Sequence, residues 1–200
     1  MSRFASISVD DALITRARRG EHSAQEQIYL AYHTAVFNLA LRITRRQTLA
    51  EEVLQDTFFT VLTRFDTYRA EAPLGYWIRE IAVNRCLMEL RSGWQHRISL
   101  FNPEHGDDDT LDSENDSNMD AYVSTSMDLD RALAKLTDTG RAVVWLHDVE
   151  GYTHQEIGGL MGKSSSFSKS QLARAHKRLR ELLTDRSESE PKCMQVTNNY

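Results

Sequence analysis

Apolar residues recur along most of this chain at the three-to-four-residue interval of a helix, and the pattern fails once, from about residue 92 to residue 126. Before the gap, Asp10 and Asp11 open a short predicted helix that runs to Arg19 and stops at Gly20. Ser23 is the expected cap of a long second helix, with Ile28, Tyr32, Val36, Leu39, Ala40 and Ile43 on its apolar side. Val53, Leu54, Phe58, Val61 and Leu62 mark a third, from about Leu49 to Arg64. Its polar side carries Glu51, Glu52, Gln55 and Asp56, and acids in a first turn suit the helix dipole. Phe65 to Pro73 reads as a loop, and Pro73 suits the first turn of a fourth helix, Leu74 to about Arg91. There Trp77, Ile78, Ile81, Ala82, Val83, Leu87 and Met88 occupy more than one side, so several neighbours are expected and Trp77 belongs to the core. Asn84 and Arg91, seven apart, share a face that can stay accessible.

After the gap, Leu129, Leu133 and Leu136 define one helix, and Val143, Val144, Leu146 and Val149 the next. Gly151 is placed to end it through a positive φ. Thr153 and Glu156 form a Thr-x-x-Glu capping box, which starts a helix with Ile157, Leu160 and Met161 on its apolar side. Gly162 breaks that helix, and Ser164 or Ser165 can cap the last one. Leu172, Ala175, Leu179, Leu182 and Leu183 form the last helix's apolar stripe. The opposite face holds Ser166, Phe167, Ser170, Arg174, Lys177 and Arg178. Two short helices joined by a Gly-containing turn match a helix-turn-helix, whose second helix enters the DNA major groove. A helical hairpin with a solvated basic face fits the same residues.

These patterns give an all-α fold of two small helical domains, residues 9–92 and 127–185, joined by a flexible acidic linker at 93–126 and followed by a disordered tail at 186–200. Trp94, Ile98, Leu100 and Phe101 are apolar exceptions in the linker that can dock on a folded surface.

Charge sharpens this division. The formal net charge is −5, which looks wrong for a nucleic-acid binder until it is located. Residues 103–130 hold ten acids and no Lys or Arg, and without them the chain carries +5. Two mildly basic folded parts thus flank an acidic connector, and local distribution governs association with nucleic acid. No apolar run approaches the roughly 18 residues a membrane span needs. The start, MSRFASISVDD, lacks the apolar segment of a secretory signal. Two cysteines, Cys86 and Cys193, make no disulfide framework, so a reducing cytoplasm is the simplest compartment. The seven His are scattered without metal-ligand spacing, and no Gly-rich phosphate loop is present. No metal, cofactor or catalytic constellation is expected, and the chain is not read as an enzyme.

Three stretches together carry a family resemblance. Ala50 to Phe58, AEEVLQDTF, is similar to an "AED-x-x-Q-[DE]-x-F" helix. Trp77 to Arg91, WIREIAVNRCLMELR, is similar to "W-[LI]-x-x-I-A-x-N-x-x-x-D-x-x-R". Arg141 to Leu179 follows "R-x-V-x-x-L…EG-[ST]-x-x-EIA-x-x-[LM]-G…KS-x-L-x-RA…L". In this order and spacing they resemble the extracytoplasmic-function sigma factors of bacterial RNA polymerase, within the sigma-70 family.

The resemblance implies a set of partners and roles. Glu51, Glu52, Gln55 and Asp56 would dock on the β′ clamp helices of core RNA polymerase, although on chemistry alone they are an ordinary solvated face. The loop at 66–72 and the helix after it would engage the −10 element of promoter DNA and capture a flipped base, with Tyr68, Arg69, Asn84 and Arg91 as candidates. The helix-turn-helix, docked by the β flap, would read the −35 element through Ser166, Phe167, Lys169, Ser170, Gln171, Arg174 and Lys177. The acidic linker would thread toward the active-site and RNA-exit channels. An anti-sigma factor is a further expected partner.

The departures also matter. Met88 stands where the family usually has Asp, and SSSFSKSQL replaces the commoner "SEGTVKSRL". Phe167 on the outward face could touch a thymine methyl. Ser168 points inward, where its hydroxyl needs a hydrogen-bond partner. Two other functions stay open at this point. One is a stand-alone helix-turn-helix regulator, which would dimerise on a two-fold site and footprint without polymerase. The other is a sigma mimic that sequesters an anti-sigma factor, which the altered recognition helix motivates.

Overall fold

Helix capping and glycine placement set most of the element boundaries in the computed structural model, which describes residues 3–100 and 127–187. Among the described residues every regular element is helical. Asp10 caps α1 (Asp11–Arg18), its carboxylate accepting from the Ala12 N–H at 3.2 Å. The start of α2 (His22–Thr44) differs from expectation. Glu21 holds the cap position, and Ser23 lies inside the first turn, donating to the Glu21 carboxylate at 2.8 Å. Glu21 also pairs with Arg16, and hydrogen bonds from Arg16 and Ser23 hold its carboxyl down to about 2. α3 (Gln47–Thr63) follows after Arg45, which ends α2 in the left-handed region at φ 55.

Ile28, Tyr32, Val36, Leu39, Ala40 and Ile43 are buried as the periodicity demands, and α3 and α4 (Leu74–Leu100) close over them. Each such side chain contributes about 1.5–3 kcal/mol by leaving water. Residues 3–9 join this core, although the expected domain began at 9. Phe4 is buried with its ring 6.5 Å from that of Tyr32. Gly75 permits the approach, since a Cβ there would lie 2.6 Å from the Phe4 carbonyl oxygen. Leu62 and Met88, expected on apolar faces, are exposed. Cys86 is buried, and desolvation pushes its thiol up to about 12.

α4 runs to Leu100, through residues expected to begin the linker. Once a helix is nucleated, each added residue gains a hydrogen bond, and the first proline after Pro73 is Pro103. The rest of the expected linker, 101–126, and the tail from 188 lie outside the described residues. So do the side chains of Trp94 and Ile98.

The second domain begins with α5 (Met127–Ala134), which exposes Leu129 and buries Leu133. Asp130, counted above among the connector acids, sits on α5 and pairs with Arg42. Thr137 caps α6 (Asp138–Val144), accepting from the Gly140 N–H at 3.1 Å. The chain continues as a π-helical turn, Trp145–Val149, and leaves it through Gly151 at φ 78. α7 (His154–Met161) carries the capping box: the Glu156 N–H donates to Thr153 Oγ1 at 3.2 Å, and the Thr153 N–H to Glu156 Oε2 at 2.7 Å. Gly162 ends α7 at φ 64. α8 (Ser165–Ser187) starts on Ser164, whose hydroxyl accepts from the Phe167 N–H at 3.2 Å. Gly158 lets the turn fold back, since a Cβ there would lie 2.9 Å from the Lys163 and Ser164 backbone. Leu172, Ala175 and Leu179 are buried as expected, whereas Leu183 is exposed. The two domains pack together, α2 and α4 of the first against α6 and α7 of the second.

Candidate functional site

The chemistry lies on three faces. The first is α3, where Glu51, Glu52, Gln55 and Asp56 are all exposed on one side. Gln47 Nε2 donates to Glu51 Oε1 at 2.9 Å, and Asp56 lies 3.7 Å from Arg85. Two apolar residues continue the same stripe at helical spacing: Phe59, 68% exposed, and Leu62. Sequence reasoning missed Phe59 because it sits beside Phe58, which packs inward with its ring 4.8 Å from Tyr29.

The second face is the loop between α3 and α4. Phe65–Thr67 forms one 3-10 turn, and Ala70 adopts φ 58. Tyr68 does not face outward as expected. It is 6% exposed, with its ring 5.5 Å from Trp77 and its hydroxyl donating to the Ala72 carbonyl at 2.7 Å. An aromatic ring with that internal acceptor lies more favourably in the core than in water. Arg18 of α1 donates to the Tyr68 carbonyl and fixes the loop from behind. A cleft of about 420 Å³ opens between α1 and the loop, lined by Asp11, Thr15, Arg18, Ala70, Glu71 and Pro73 among others. Arg69 is exposed beside Glu71. Asn84 and Arg91 are exposed on α4 but not free: Asn84 donates to the Glu80 carbonyl at 2.9 Å, and Arg91 to the Leu160 carbonyl of α7 at 2.8 Å.

The third face is α8. Ser166, Lys169, Ser170, Arg174 and Lys177 are exposed along it, and Phe167 is half-buried with Lys163 Nζ 5.7 Å from its ring centre. Gln171 is a correction. It is 5% exposed on the inward side, so its side chain does not share the outward face. Ser168 is buried, and its hydroxyl meets His154 Nδ1 at 3.0 Å. His154 is therefore the partner that the inward hydroxyl required. Its ring stacks on His147 at 4.4 Å. Asp148 bridges His147 at 2.9 Å and His176 of α8 at 2.7 Å. Burial pushes the Asp148 carboxyl up, but the hydrogen bonds from the two histidines outweigh it and hold the group below its usual range.

The fold and these faces define a two-domain, all-helical protein with a C-terminal helix-turn-helix. The family models described as Sigma-70 region 2 and Sigma-70, region 4 match residues 28–96 and 126–179. The RNA polymerase sigma factor CarQ of Myxococcus xanthus is 30% identical over 168 residues, covering 84% of this chain and 94% of CarQ. The ECF RNA polymerase sigma factor SigM of Mycobacterium tuberculosis is 28% identical over 87% of this chain and 84% of SigM. The chain belongs to the extracytoplasmic-function group of the sigma-70 family. Among solved structures, the Bartonella quintana sigma factor RpoE, crystallised with the anti-sigma factor NepR, has a TM-score of 0.52 at 23% identity, covering 80% of this chain and 96% of RpoE. That likeness concerns the fold. Among the described residues, no helix is long and apolar enough to cross a membrane.

Proposed function

We propose that this chain binds core RNA polymerase in the cytoplasm and directs promoter-specific initiation by recognising −35 and −10 elements, leaving the chemistry to the polymerase. The observation that carries this is the presence on one chain of an exposed acidic stripe and a helix-turn-helix, each in the order and spacing of the family.

On this reading the α3 stripe docks on the β′ clamp helices, with Glu51, Glu52, Gln55 and Asp56 as the polar part and Phe59 as an apolar anchor. The cleft between α1 and the loop, lined by Thr15, Arg18 and Ala70 among others, receives a base of the non-template strand, and exposed Arg69, Asn84 and Arg91 are the proposed further contacts to that strand. Tyr68 serves as the floor of the loop rather than as a stacking platform. On α8, Lys169, Arg174 and Lys177 meet phosphates, and Ser166, Phe167 and Ser170 lie at the N-terminal end, where a recognition helix meets base edges. The β flap and an anti-sigma factor are the further protein partners of this reading.

The test is reconstitution with core polymerase, followed by mapping of transcript 5′ ends. Promoter-specific starts that depend on the added chain are expected. No retention by core and no start-site selectivity would sink the reading. A footprint without polymerase would favour a stand-alone regulator. Binding only to an anti-sigma factor would favour a mimic.

A further inference from the structure

Three histidines and one carboxylate meet against the recognition helix. His147 and Asp148 belong to the π-helical turn, His154 opens α7, and His176 lies on α8. The Asp148 carboxylate is taken by His147 at 2.9 Å and by His176 at 2.7 Å. His154 stacks on His147 with ring centres 4.4 Å apart. Its own hydrogen-bond partner is neutral, the buried Ser168 hydroxyl at 3.0 Å from Nδ1. Among the described residues, no hydrogen bond reaches His154 Nε2.

The surroundings of His154 disfavour its charged form. Desolvation comes first, His147 and Lys169 of α8 add to it, and Asp148 opposes them, so the imidazole is held below its usual value. On α7 itself, the Glu156 carboxylate is engaged by the Thr153 N–H and hydroxyl, both at 2.7 Å. α4 also packs on α7. Its Arg79 is held by Glu150, and its Arg91 meets the Leu160 carbonyl near the other end of α7. The free chain thus keeps an uncharged imidazole beside Lys169, one of the cations proposed to meet phosphates.

We propose that His154 is a phosphate contact of the helix-turn-helix and takes up a proton when duplex DNA arrives, so that binding through α8 strengthens as pH falls. The inference rests on the reading of α8 as the DNA-binding helix and adds to it a contact and a dependence on acidity. The first helix of such a unit crosses the DNA backbone, and α7 begins at His154. A phosphate at Nε2 supplies the negative charge that His154 lacks in the free chain. The imidazolium then donates from both nitrogens, Nε2 to the phosphate and Nδ1 to Ser168 Oγ. Ser168 suits both states, because a hydroxyl donates to a neutral ring nitrogen and accepts from a protonated one. The valine that the resembled pattern has at this position can do neither. Linkage fixes the sign. DNA raises the midpoint of His154, so the gain in affinity is complete below the free-chain value and vanishes above the bound one.

The test follows the imidazole resonances of the full chain by NMR against pH, with and without a short random-sequence duplex at low salt. The resonance lost in His154→Gln assigns the group. The duplex is expected to raise the His154 midpoint by about one pH unit or more, the effect of one opposite charge at close range. His22 and His33 of the first domain are expected to move far less. In fluorescence anisotropy, the parent chain is expected to gain about tenfold more affinity than His154→Gln between about pH 8 and about pH 6. His154→Arg, charged at every pH, is expected to bind with the higher affinity throughout and with no more pH dependence than His154→Gln. A merely structural His154 would leave its midpoint unmoved by DNA. A duplex that shifts α8 resonances but not the His154 midpoint therefore overturns the proton-taking contact and leaves α8 as the DNA face. A duplex that shifts neither overturns both. Inorganic phosphate alone reproducing the full shift would mark a site for free anions and overturn the duplex contact.

Discussion

Ser168 and His154 form a pair in which one side chain depends on the other. The Ser168 hydroxyl is fully buried under the recognition helix, and His154 is at its side. His154→Ala removes the partner and leaves the hydroxyl in place, so it is expected to cost about 1–3 kcal/mol of unfolding free energy. Ser168→Ala leaves a histidine that can turn to water and is expected to cost about 1 kcal/mol or less. Urea denaturation of the two variants checks the order, and a larger loss for Ser168→Ala would contradict it. The inward position of Ser168 was legible in the sequence, because 168, 172, 175 and 179 follow helical spacing. Gln171 follows the same stripe, and its polar type misled where its spacing did not. Tyr68 could not be placed from spacing at all, since its burial depends on Trp77 and the Ala72 carbonyl across a loop. A pH test also belongs at this scale. The folded-state pKa of Asp148 is depressed, so its stabilisation is present above the unfolded value and is lost as pH falls through the folded one. The melting-temperature difference between the parent and Asp148→Asn is therefore expected to be largest near neutral pH and to shrink as pH falls below about 4. A difference that grows in acid would reverse the assigned sign.

At the scale of the element, α3 and α8 make separable predictions. Phe59 is mostly exposed, so Phe59→Ala should leave the fold nearly untouched while weakening core-polymerase binding by about tenfold or more, as loss of an apolar anchor does. Glu52→Lys tests the polar part of the stripe more cleanly than Asp56→Lys, because Asp56 also faces Arg85 within its own domain. Unchanged core affinity in both Phe59→Ala and Glu52→Lys would remove α3 as the docking face. On α8, Arg174→Ala should weaken −35-dependent initiation and lower the salt slope of DNA binding by about one unit, with core assembly spared. The α7–α8 unit was the most legible part of the chain, because its capping box, Gly162 and serine cap are all local signals. Gly158 was less legible. Its need for hydrogen at Cα comes from the Lys163 and Ser164 backbone folding back upon it, a contact no periodicity describes. The extension of α4 to Leu100 was hidden for a related reason, since GWQHRISL, residues 93–100, places few apolar residues at helical spacing.

For the whole molecule, the arrangement of charge matters more than its sum. The two-domain division was legible because the apolar pattern lapses where the acids gather, but the seam between the domains was not. Arg42, Arg79 and Arg91 look in sequence like ordinary surface cations, and their acceptors lie 88, 71 and 69 positions away. Such pairing follows from tertiary packing, and no local rule reaches that far. The acids between the domains pose the remaining question at this scale. Changing Asp107, Asp108, Asp109 and Asp112 to Asn raises the formal net charge from −5 to −1 without touching either helical domain. If the segment keeps a basic chain from binding DNA indiscriminately, non-specific affinity should rise several-fold at low ionic strength. The increase should fade as salt approaches about 0.5 M, where screening acts within a few ångströms. A salt titration of binding to a promoter-free duplex measures this directly. An affinity unchanged at low salt would mean that the acids act only once the chain sits on the polymerase, and that the basic faces of the free protein are already held in check by their own domains.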